Sequence, residues 1–426
     1  MFKQLIQSQL ERYVAKYFKK HPEVKLIAVA GSVGKTSTKR AIATLLSQRY
    51  RVRMHEGNYN THMSAPCAIL GIEYPENIRS IGAWLAVFKA ARTRIKEPTD
   101  ADIIIAELGA DHPGDLERFA AYLKPYIGIV TAVTPEHMEF FNTIEAVAKE
   151  ELSVANFSTI AMINRDDIEG RFAEFMTNSN VDTYGTTGVA EYRFEEQDFT
   201  IEEGYRGSVI APEFDAPLDA SIKVVGEHSL RPVMGGVAVA IKMGLTKEEI
   251  ARGLALIKPV PGRMNILHGV NKSVLIDDTY NSSPIAASSA IQALYSLQAP
   301  QRIAILGSMN ELGTTSAEEH RKIGLMCDPS LLDWVVTIGD EAGAYLATAA
   351  RERGCQVRSF KNAIDAGSFV HSVLDENATV LIKGSQGGIY AEEAVKVLCL
   401  EEDQNQLVRQ SLYWQNIKNE HFSKFA

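Results

Sequence analysis

Short apolar runs alternate with longer stretches of helical periodicity through the first half of the chain. Each run ends in turn residues or polar groups, and the runs read KLIAVAG, ADIIIAELGA, YIGIVTAV and STIAMIN. Alternation of this kind is typical of βαβ units, in which helices connect parallel strands. The first half of the chain is therefore predicted to fold as an α/β domain around a mostly parallel sheet.

The pattern changes between about residues 180 and 225 and again near residue 258. The segment EYRFEEQDFTIEEGYRGSVIAP alternates with a period of two around a glycine-containing turn, which predicts an antiparallel appendage. The segment KPVPGRMN contains two prolines and a glycine and is predicted to be a hinge. A second alternating series follows, with predicted strands SVLIDDTY, RIAILGS, DWVVTIG, CQVRSF and TVLIKGS. The C-terminal third is therefore predicted to be a separate, Rossmann-like doubly wound domain.

These changes of pattern divide the chain into three parts. Residues 1–22 are predicted to form an amphipathic helix, residues 23–261 the central domain and residues 262–426 the C-terminal domain. The helix is expected to pack on the central domain through its apolar positions, which are Phe2, Leu5, Ile6, Leu10, Val14, Tyr17 and Phe18.

Composition narrows the class of protein. With 426 residues, 46% hydrophobic and 23% charged, the chain is predicted to be a globular protein of two or three domains. A formal net charge of -9 argues against a general nucleic-acid binder, whose binding face would be basic. No run approaches the roughly 18 apolar residues of a membrane span, and the N-terminus lacks the apolar core of a signal peptide. We therefore expect a cytoplasmic protein without membrane insertion that acts on small molecules.

Cysteine usage agrees with this expectation. The cysteines are Cys67, Cys327, Cys355 and Cys399. They are too far apart for a zinc-binding pattern, and a disulfide framework is not expected at this density. The sequence leaves the oligomeric state open.

The strongest local signal for chemistry is AVAGSVGKTSTKRAIATLL, in which a strand leads through glycines into a helix. A strict phosphate-loop pattern requires glycine at position 29, where this chain has Val29. Gly31 and Gly34 nevertheless let backbone N–H groups turn toward an anion, and the helix N-terminus adds its dipole. The alternative is an ordinary glycine-rich turn. The residues predicted to bind ATP here are Gly31, Ser32, Val33, Gly34, Lys35, Thr36 and Ser37.

Two further polar groups lie at the ends of neighbouring apolar strands. Glu107 ends a fully apolar strand, where a carboxylate is costly unless it is paired or bound to a metal. His137 lies just beyond the next apolar strand, although a lone histidine is more often structural. Ligands of doubly wound sheets bind at strand ends, so both residues are candidate metal ligands. The loop HEGNYNTHMSAP, residues 55–66, carries amides and hydroxyls without periodicity.

The C-terminal domain has a second group of polar residues at its strand ends. Arg263 lies at the predicted hinge and would reach a phosphate on domain closure; the alternative is a solvated arginine. Asp278 is a candidate for binding a ribose or a metal-bound water, whereas Asp277 is expected to cap the turn. Lys383 and Ser385 are suited to holding a carboxylate, although a plain β-turn explains them equally well.

Taken together and in order, these segments resemble the Mur ligases. The shared segments span residues 25–390 and are AVAGSVGKTSTK, GNYNTHMSAP, ELGADHPGDL, the segment around His137, INRDD, GEHS, GRMN, IDDTYNSSP, LGSMNELG and KGS. The resemblance implies a central P-loop ATPase domain with Mg²⁺, in two sites, beside ATP. It also implies a ligase that phosphorylates a carboxylate and lets an amine attack the acyl phosphate.

The resemblance implies roles for single residues. Lys35 would cradle phosphate, Thr36 and Glu107 would hold the first Mg²⁺, and His137 would help to hold the second. The residues implied in nucleotide binding from the C-terminal domain are Asp278 and Arg263. The residues implied in catalysis are Lys35, His137, Glu151 and Arg263. Substrate contacts are expected from Asn58, Asn60, Thr61, Asn281, Lys383 and Ser385.

The sequence departs from the family's pattern at four places. The members that this sequence most resembles carry an N-terminal domain that grips a UDP-sugar, whereas here the phosphate loop begins near residue 31 and leaves space for one helix. We expect either that the UDP end is held differently or that the acceptor lacks it. His228 and Ser229 stand where the family has HNxxN, and Gln386 follows KGS where the family has arginine.

The fourth departure is Glu151. The family has a lysine at this position after His137, carbamylated so that its carboxylate helps to hold the second Mg²⁺. Lys149 lies about 200° around a helix from Glu151 and cannot replace it without a register slip. We hypothesise that Glu151 supplies the carboxylate itself, directly or through a water. The rival hypothesis is a weakened second metal site.

The resemblance thus predicts a ligase of peptidoglycan assembly. It would add an amino acid or a dipeptide such as D-alanyl-D-alanine to a precursor peptide, so the amine donor is a second substrate. One alternative is a Mur-type ligase with a non-UDP acceptor, as in folylpolyglutamate or poly-γ-glutamate synthases. The other is a nucleotide-binding partner protein without ligase turnover.

Overall fold

The structure is a computed structural model that describes residues 2–425. The chain divides into two units. The first unit runs to Lys223 and includes Leu230–Ile257. The second comprises Val224–Ser229 and the chain from Lys258 onward. The division after Ile257 falls just before the predicted boundary at residue 261.

The first unit alternates strands and helices through most of its length. Its strands are β1 (Lys25–Ala30), β2 (Val52–Met54), β3 (Ile103–Glu107), β4 (Ile127–Val130), β5 (Ile160–Asn164), β6 (Val181–Gly185), β7 (Tyr192–Thr200), β8 (Gly204–Ile210) and β9 (Leu218–Ile222). Its helices are α1 (Phe2–Lys20), α2 (Lys35–Leu46), α3 (Ala65–Leu70), α4 (Ile81–Lys96), α5 (Asp115–Ala120), α6 (Met138–Phe141), α7 (Ile144–Asn156), α8 (Leu230–Lys242) and α9 (Lys247–Ala255), with a 3-10 turn at Gly170–Phe175.

The strands of this unit form one sheet in the order β2-β3-β1-β4-β5-β6-β7-β8-β9. All neighbours from β2 to β7 pair in parallel, and only β7 with β8 and β8 with β9 pair antiparallel. The strands β1, β3 and β4 are buried along nearly their whole length, as expected for parallel strands covered on both faces. The predicted α/β class with a mostly parallel sheet is confirmed.

The antiparallel region differs from the predicted appendage. Its pairing is confined to Tyr192–Ile222, whereas Val181–Gly185 pairs in parallel with β5. Tyr184 of β6 also pairs with Tyr192 of β7, so the region continues the main sheet rather than standing apart from it. The period-two pattern holds only in part, because burial alternates along β9 and over the first residues of β7, whereas most of β8 is buried.

The helix α1 packs on the first unit through one face. The side chains of Ile6, Leu10 and Tyr17 are buried, as predicted, but those of Phe2 and Leu5 are exposed. Leu5 lies about 100° around the helix from Ile6 and so falls outside the buried face, and Phe2 lies in the first turn. No helix among residues 2–425 is both long and apolar enough to cross a membrane.

The second unit alternates strands and helices again. Its strands are β10 (Asn265–His268), β11 (Val274–Asp278), β12 (Arg302–Gly307), β13 (Trp334–Ile338), β14 (Val357–Phe360) and β15 (Thr379–Lys383). Its helices are α10 (Pro284–Ser296), α11 (Ser316–Met326), α12 (Ala347–Glu352), α13 (Ala363–Val373), α14 (Glu392–Leu398) and α15 (Leu412–Phe422). Short 3-10 or π turns lie at Glu227–Ser229, Val270–Lys272, Gly313–Thr315, Ala342–Leu346 and Glu401–Gln406.

The sheet of the second unit has the order β10-β11-β15-β12-β13-β14. All pairs are parallel except β10 with β11. The strand β10 was not predicted, because four residues next to the hinge are too few to give a periodic signal. The predicted Rossmann-like doubly wound arrangement is confirmed.

Strand order and register place the predicted polar residues at sheet edges. In the first unit, β1 lies between β3 and β4, and Val29 of β1 pairs with Glu107 of β3. In the second unit, Asp278 at the end of β11 pairs with Lys383 at the end of β15. Each sheet thus carries a group of polar residues at the carboxyl ends of adjacent strands, which is where doubly wound folds bind ligands.

Candidate active site

Two glycines shape the loop between β1 and α2, residues 31–34. Gly31 has φ 126° and Gly34 has φ 86°, both in the left-handed region that favours glycine. A Cβ atom on Gly31 would lie 2.2 Å from the hydroxyl oxygen of Thr131, so a larger residue does not fit. Gly34 stands at the N-cap of α2 and offers no side chain that could cap the helix. A helix N-terminus that begins at a glycine in this way is a favourable place for an anion.

Val29 replaces the glycine of the strict phosphate-loop pattern because it lies inside β1. It is fully buried and pairs with both β3 and β4, so the loop begins only at Gly31. The Ser32 hydroxyl donates to the carbonyl oxygen of Thr134 at 3.2 Å and accepts from its N–H at 3.1 Å, and the Ser32 N–H donates to Ala132. Ser32 was predicted to bind ATP, and in this structure its polar groups hold the loop in position.

The structure brings Thr36 and Glu107 together, as the metal-site prediction requires. The Thr36 hydroxyl donates to Glu107 Oε2 at 3.2 Å. The Lys35 ammonium donates to the carbonyl oxygens of Gly31 and, at 3.2 Å, Ser32. The Lys35 side chain therefore bends back over its own loop, which is also the predicted binding site of the ATP phosphates.

Lys39 completes this group and was not among the predicted residues. Its ammonium lies 3.1 Å from Glu107 Oε2, and the two side chains are only 2% and 3% exposed. Lys39 Nζ also donates to the carbonyl oxygen of Gly57 at 3.0 Å. The spacing was a usable signal, because Lys39 follows Thr36 by three residues and so lies on the same face of α2.

Replacing Lys39 with methionine is expected to destabilise the protein by about 3–5 kcal/mol, because the Glu107 carboxylate stays buried without its cation. Urea denaturation of the ligand-free protein measures the effect. The exposed Lys258→Met serves as the matched control and should change stability little. Adding Glu107→Gln to Lys39→Met should recover part of the loss; two independent, additive losses would contradict a direct pair.

Glu151 lies against the phosphate loop. Its side chain is buried on α7, and the Gly31 N–H donates to Glu151 Oε2 at 2.7 Å. Burial raises the pKa of Glu151 to about 7, and Glu136 adds to the rise, while Lys35 and the Gly31 N–H oppose it. Lys149 is exposed, which agrees with the expectation that it cannot take this position.

The neighbouring Glu150 was not predicted, and it holds a second loop. Its carboxylate accepts from the N–H groups of Gly114 at 2.7 Å and Leu116 at 2.6 Å, at the start of α5. Glu150 and Glu151 therefore tie α7 to both the segment after β3 and the phosphate loop. The available signal was two adjacent acids that fall among the apolar residues of the buried face of α7.

His137 lies beside an acid that was not predicted. It has φ 51° and precedes α6, and its Nε2 lies 3.6 Å from Asp111 Oδ1 and 3.9 Å from Glu136 Oε1. Within residues 2–425, no three His, Cys, Asp or Glu side chains form a ready metal cage. Mg²⁺ is commonly bound by one or two carboxylates together with phosphate and water oxygens, and the oxygen donors of Thr36 and Glu107 suit it.

The three predicted residues of the loop 55–66 differ in exposure and in their hydrogen bonds. The Asn60 carbonyl accepts from the Gly109 N–H at 2.9 Å, which fixes this part of the loop beside the end of β3. The Thr61 hydroxyl lies 2.9 Å from that of Ser64. Asn58 is exposed. Of the three predicted residues, Asn60 is therefore the one that a backbone hydrogen bond holds beside the strand that ends in Glu107.

In the second unit, Asp278 and Lys383 form one ion pair. Lys383 Nζ donates to Asp278 Oδ2 at 2.6 Å and to the carbonyl oxygen of Asn281 at 3.0 Å, and both charged side chains are buried. Lys383 was predicted to hold a substrate carboxylate, and in this structure its ammonium is paired with a carboxylate of its own chain. Ser385 was also predicted to contact substrate; its buried hydroxyl donates to the carbonyl oxygen of Ser282 at 3.3 Å and accepts from the Asn310 N–H at 3.0 Å.

Arg263 is held by an aromatic ring rather than by an acid. Its guanidinium carbon lies 4.3 Å from the centre of the Tyr280 ring, and that of Arg409 lies 5.9 Å from the same ring. Arg409 in turn donates to Glu392 at 2.8 and 2.7 Å and to the carbonyl oxygen of Thr279 at 2.6 Å. Arg263 Nε is buried and has no hydrogen-bond partner among the described residues. An unpaired donor on a positive group fits an anionic ligand.

Asp277 connects the hinge segment to the following turn. Its carboxylate accepts from Thr279 N–H at 3.2 Å, from the Thr279 hydroxyl at 2.5 Å and from Gly262 N–H at 3.1 Å. This agrees with the turn cap expected from the sequence and adds the bond to Gly262. Burial, with a contribution from Asp278, raises the pKa of Asp277 to about 6.

The pKa of Asp277 predicts a pH dependence of stability. Because the folded-state pKa lies above the ordinary 3.8, the folded protein binds more protons between pH 3.8 and about 6. The contribution of Asp277 to stability is therefore complete below pH 3.8 and is lost as pH rises through 6. Thermal midpoints of the wild type minus those of Asp277→Asn should fall over this interval. A difference that rises or stays flat would contradict the assignment.

Two family models match the chain. The Mur ligase middle domain matches residues 29–240, and the Mur ligase glutamate ligase domain matches residues 262–386. Among known relatives, the UDP-N-acetylmuramoyl-tripeptide--D-alanyl-D-alanine ligase of Bacillus subtilis (strain 168) is 26% identical over 401 residues. That alignment covers 90% of this chain and 78% of the relative.

The solved structures that resemble the chain share its fold. A crystal structure of MurF from Acinetobacter baumannii has a TM-score of 0.74 at 21% identity, covering 91% of this chain and 79% of that one. MurF ligase from Thermotoga maritima in complex with ADP has a TM-score of 0.73 at 22% identity, covering 92% of this chain and 83% of that one.

Proposed function

The chain belongs to the Mur ligase family, and on that premise we propose that it joins D-alanyl-D-alanine to a UDP-N-acetylmuramoyl tripeptide with consumption of ATP. The match to the Bacillus subtilis ligase, which runs through both units, supports this pair of substrates. The observation that carries the ATP-dependent part is the uncapped start of α2, with Thr36 and Glu107 beside it.

The proposed reaction has two steps. A carboxylate oxygen of the tripeptide attacks the γ-phosphorus of ATP, the bond to the β-phosphate oxygen breaks, and an acyl phosphate and ADP form. The amine nitrogen of D-alanyl-D-alanine then attacks the acyl carbon. Inorganic phosphate leaves with the electrons of the broken C–O bond, the nitrogen loses a proton, and an amide remains.

The residues of the first unit support the first step. Lys35 exchanges the carbonyl oxygens of its own loop for phosphate oxygens, and the N–H groups at the start of α2 donate to the same anion. Mg²⁺, which Thr36 and Glu107 would hold, neutralises charge on the phosphates when bound. Lys39 keeps the Glu107 carboxylate in place. For a second ion, the proposed ligands are Glu151 and His137.

The residues of the second unit are proposed to bind nucleotide. Arg263 offers a guanidinium whose Nε lacks a partner among the described residues, and Tyr280 holds its plane. Asp278 is fixed by Lys383 and is proposed to meet the ribose. Use of ATP supports a cytoplasmic location, which would also keep the buried thiols reduced.

Phosphate release, measured with a panel of acceptors and amines, tests the function. UDP-muramoyl tripeptide with D-alanyl-D-alanine should release phosphate and yield the amide by mass spectrometry, and omission of either should abolish release. Release only with a folate or poly-γ-glutamate acceptor would replace the proposed substrates with those of a non-UDP ligase. ATP binding without release for any pair would favour a partner protein without turnover.

Glu151→Ala is expected to lower kcat about 10- to 100-fold, as for loss of a group that orients a metal site. Bicarbonate should leave the wild-type rate unchanged, because Glu151 needs no carbamate. The exposed Lys149→Ala, on the same helix, is the matched control and should keep full activity. Unchanged activity of Glu151→Ala, or stimulation of the wild type by bicarbonate, would remove Glu151 from the proposed site.

A further inference from the structure

The helices α1 and α4 are strongly basic in an acidic protein. The helix α1 carries five basic residues and a single acid, and α4 carries four basic residues and no acid, whereas the whole chain has a net charge of -9. The acid is Glu11, which is paired with Arg118 of α5 at 2.9 Å. On α4, Arg94 is paired with Asp100 at 2.7 Å. The excess positive charge of these two helices therefore lies on their other basic residues.

The two helices pack side by side in the same direction. The rings of Tyr13 and Phe88 lie 5.9 Å apart, and the guanidinium of Arg92 lies 5.8 Å from the Tyr13 ring. One turn further along α1, the Tyr17 hydroxyl lies 2.9 Å from that of Thr99, which follows α4. Toward their N-terminal ends, Ile6 of α1 packs in one cluster with residues of α4. The first turns of α1 and α4 are therefore neighbours.

Each helix has an outward stripe that begins apolar and continues basic. On α4, Ile81 and Leu85 are 64% and 62% exposed, and the exposed Lys89 and Lys96 continue the same face at helical spacing. On α1, Leu5 is 66% exposed and is followed on its face by the exposed Lys16. The α1–α4 face is defined here by Leu5, Lys16, Ile81, Leu85, Lys89 and Lys96.

The two stripes adjoin each other. Arg92 extends from the exposed edge of α4 to Tyr13 of α1, so the boundary between the helices lies between the stripes. Glu11 lies on the opposite flank of α1, toward α5. The α1–α4 face thus combines an exposed apolar cluster at one end with an extended field of lysines.

We propose that the α1–α4 face binds the surface of a membrane rich in anionic phospholipid. Large exposed apolar side chains cost solvation in water but bury favourably at the headgroup boundary, and lysines beside them are attracted to anionic lipids. Charge complementarity selects this occupant: the face is positive while the rest of the chain is net negative, which keeps other surfaces away from the lipid. The protein lies on the membrane and does not span it.

Vesicle co-sedimentation of the intact protein tests the proposal. The protein should bind vesicles of equimolar phosphatidylcholine and phosphatidylglycerol and not vesicles of phosphatidylcholine alone, and added salt should weaken binding. Lys16→Gln, Lys89→Gln and Lys96→Gln together should lower the partition coefficient about a hundredfold, since each charge contributes roughly fivefold. Leu5→Ser, Ile81→Ser and Leu85→Ser together should lower it at least about tenfold.

The matched control removes three exposed lysines of the second unit, Lys272→Gln, Lys361→Gln and Lys424→Gln. This variant should bind the anionic vesicles within about twofold of the wild type, because its charges lie outside the face. All variants should keep their thermal midpoints, because the changed side chains are exposed. Phosphate release without vesicles should also be unchanged, whatever the acceptor proves to be.

Four outcomes would overturn the proposal. They are no binding to anionic vesicles, equal binding to neutral and anionic vesicles, equal loss in the control variant, and retained binding in both face variants. Sedimentation velocity tests whether a second copy of this chain, rather than a membrane, covers the face. If the wild type self-associates and the serine variant is monomeric, the face is an interface between copies of this chain.

Discussion

The burial of carboxylates at the carboxyl ends of parallel strands is the constraint on which both sites depend. Such a position brings a charge to the edge where ligands bind, but it removes much of the water that would stabilise that charge. Glu107 meets this constraint through Lys39 and Thr36, and Asp278 meets it through Lys383. Each carboxylate is therefore fixed in direction before any ligand arrives, which lowers the cost of ordering the site on binding.

Much of the fold was predictable because it rests on periodicity. Continuous apolar runs predicted buried parallel strands, and the end of each run predicted where a ligand-binding edge would lie. Lys39, Glu150 and Tyr280 were not predicted, because helical spacing and adjacent acids indicate which face a side chain lies on but not which distant residue it contacts. The sequence also does not indicate in which direction a polar side chain at a strand end points. Ser32 and Ser385 turn inward to hold loops, and nothing in the local pattern separates this from an outward direction.

Single positions in the phosphate loop show how structure explains departures from a motif. Val29 lies inside a strand that is covered on both sides, so a glycine there would weaken the sheet without widening the loop. Gly31 has no such freedom, because Thr131 occupies the space that a side chain would need. The strict sequence pattern requires glycine at position 29 and leaves position 31 open, whereas the packing requires the opposite. Only the packing separates a position that must be glycine from one that need not be.

Glu151 is both a buried carboxylate and a departure from the family's sequence pattern. A carboxylate that accepts from the Gly31 N–H uses a donor of the very loop that is proposed to bind phosphate, so two negative groups would compete for one region. With a pKa near 7, Glu151 is able to keep a proton and limit this repulsion in the metal-free protein. A cation bound at the same place would favour the ionised form of Glu151 and release the proton, because metal ligands must be deprotonated. A lysine carbamate would meet the same repulsion, and the glutamate meets it without requiring CO₂.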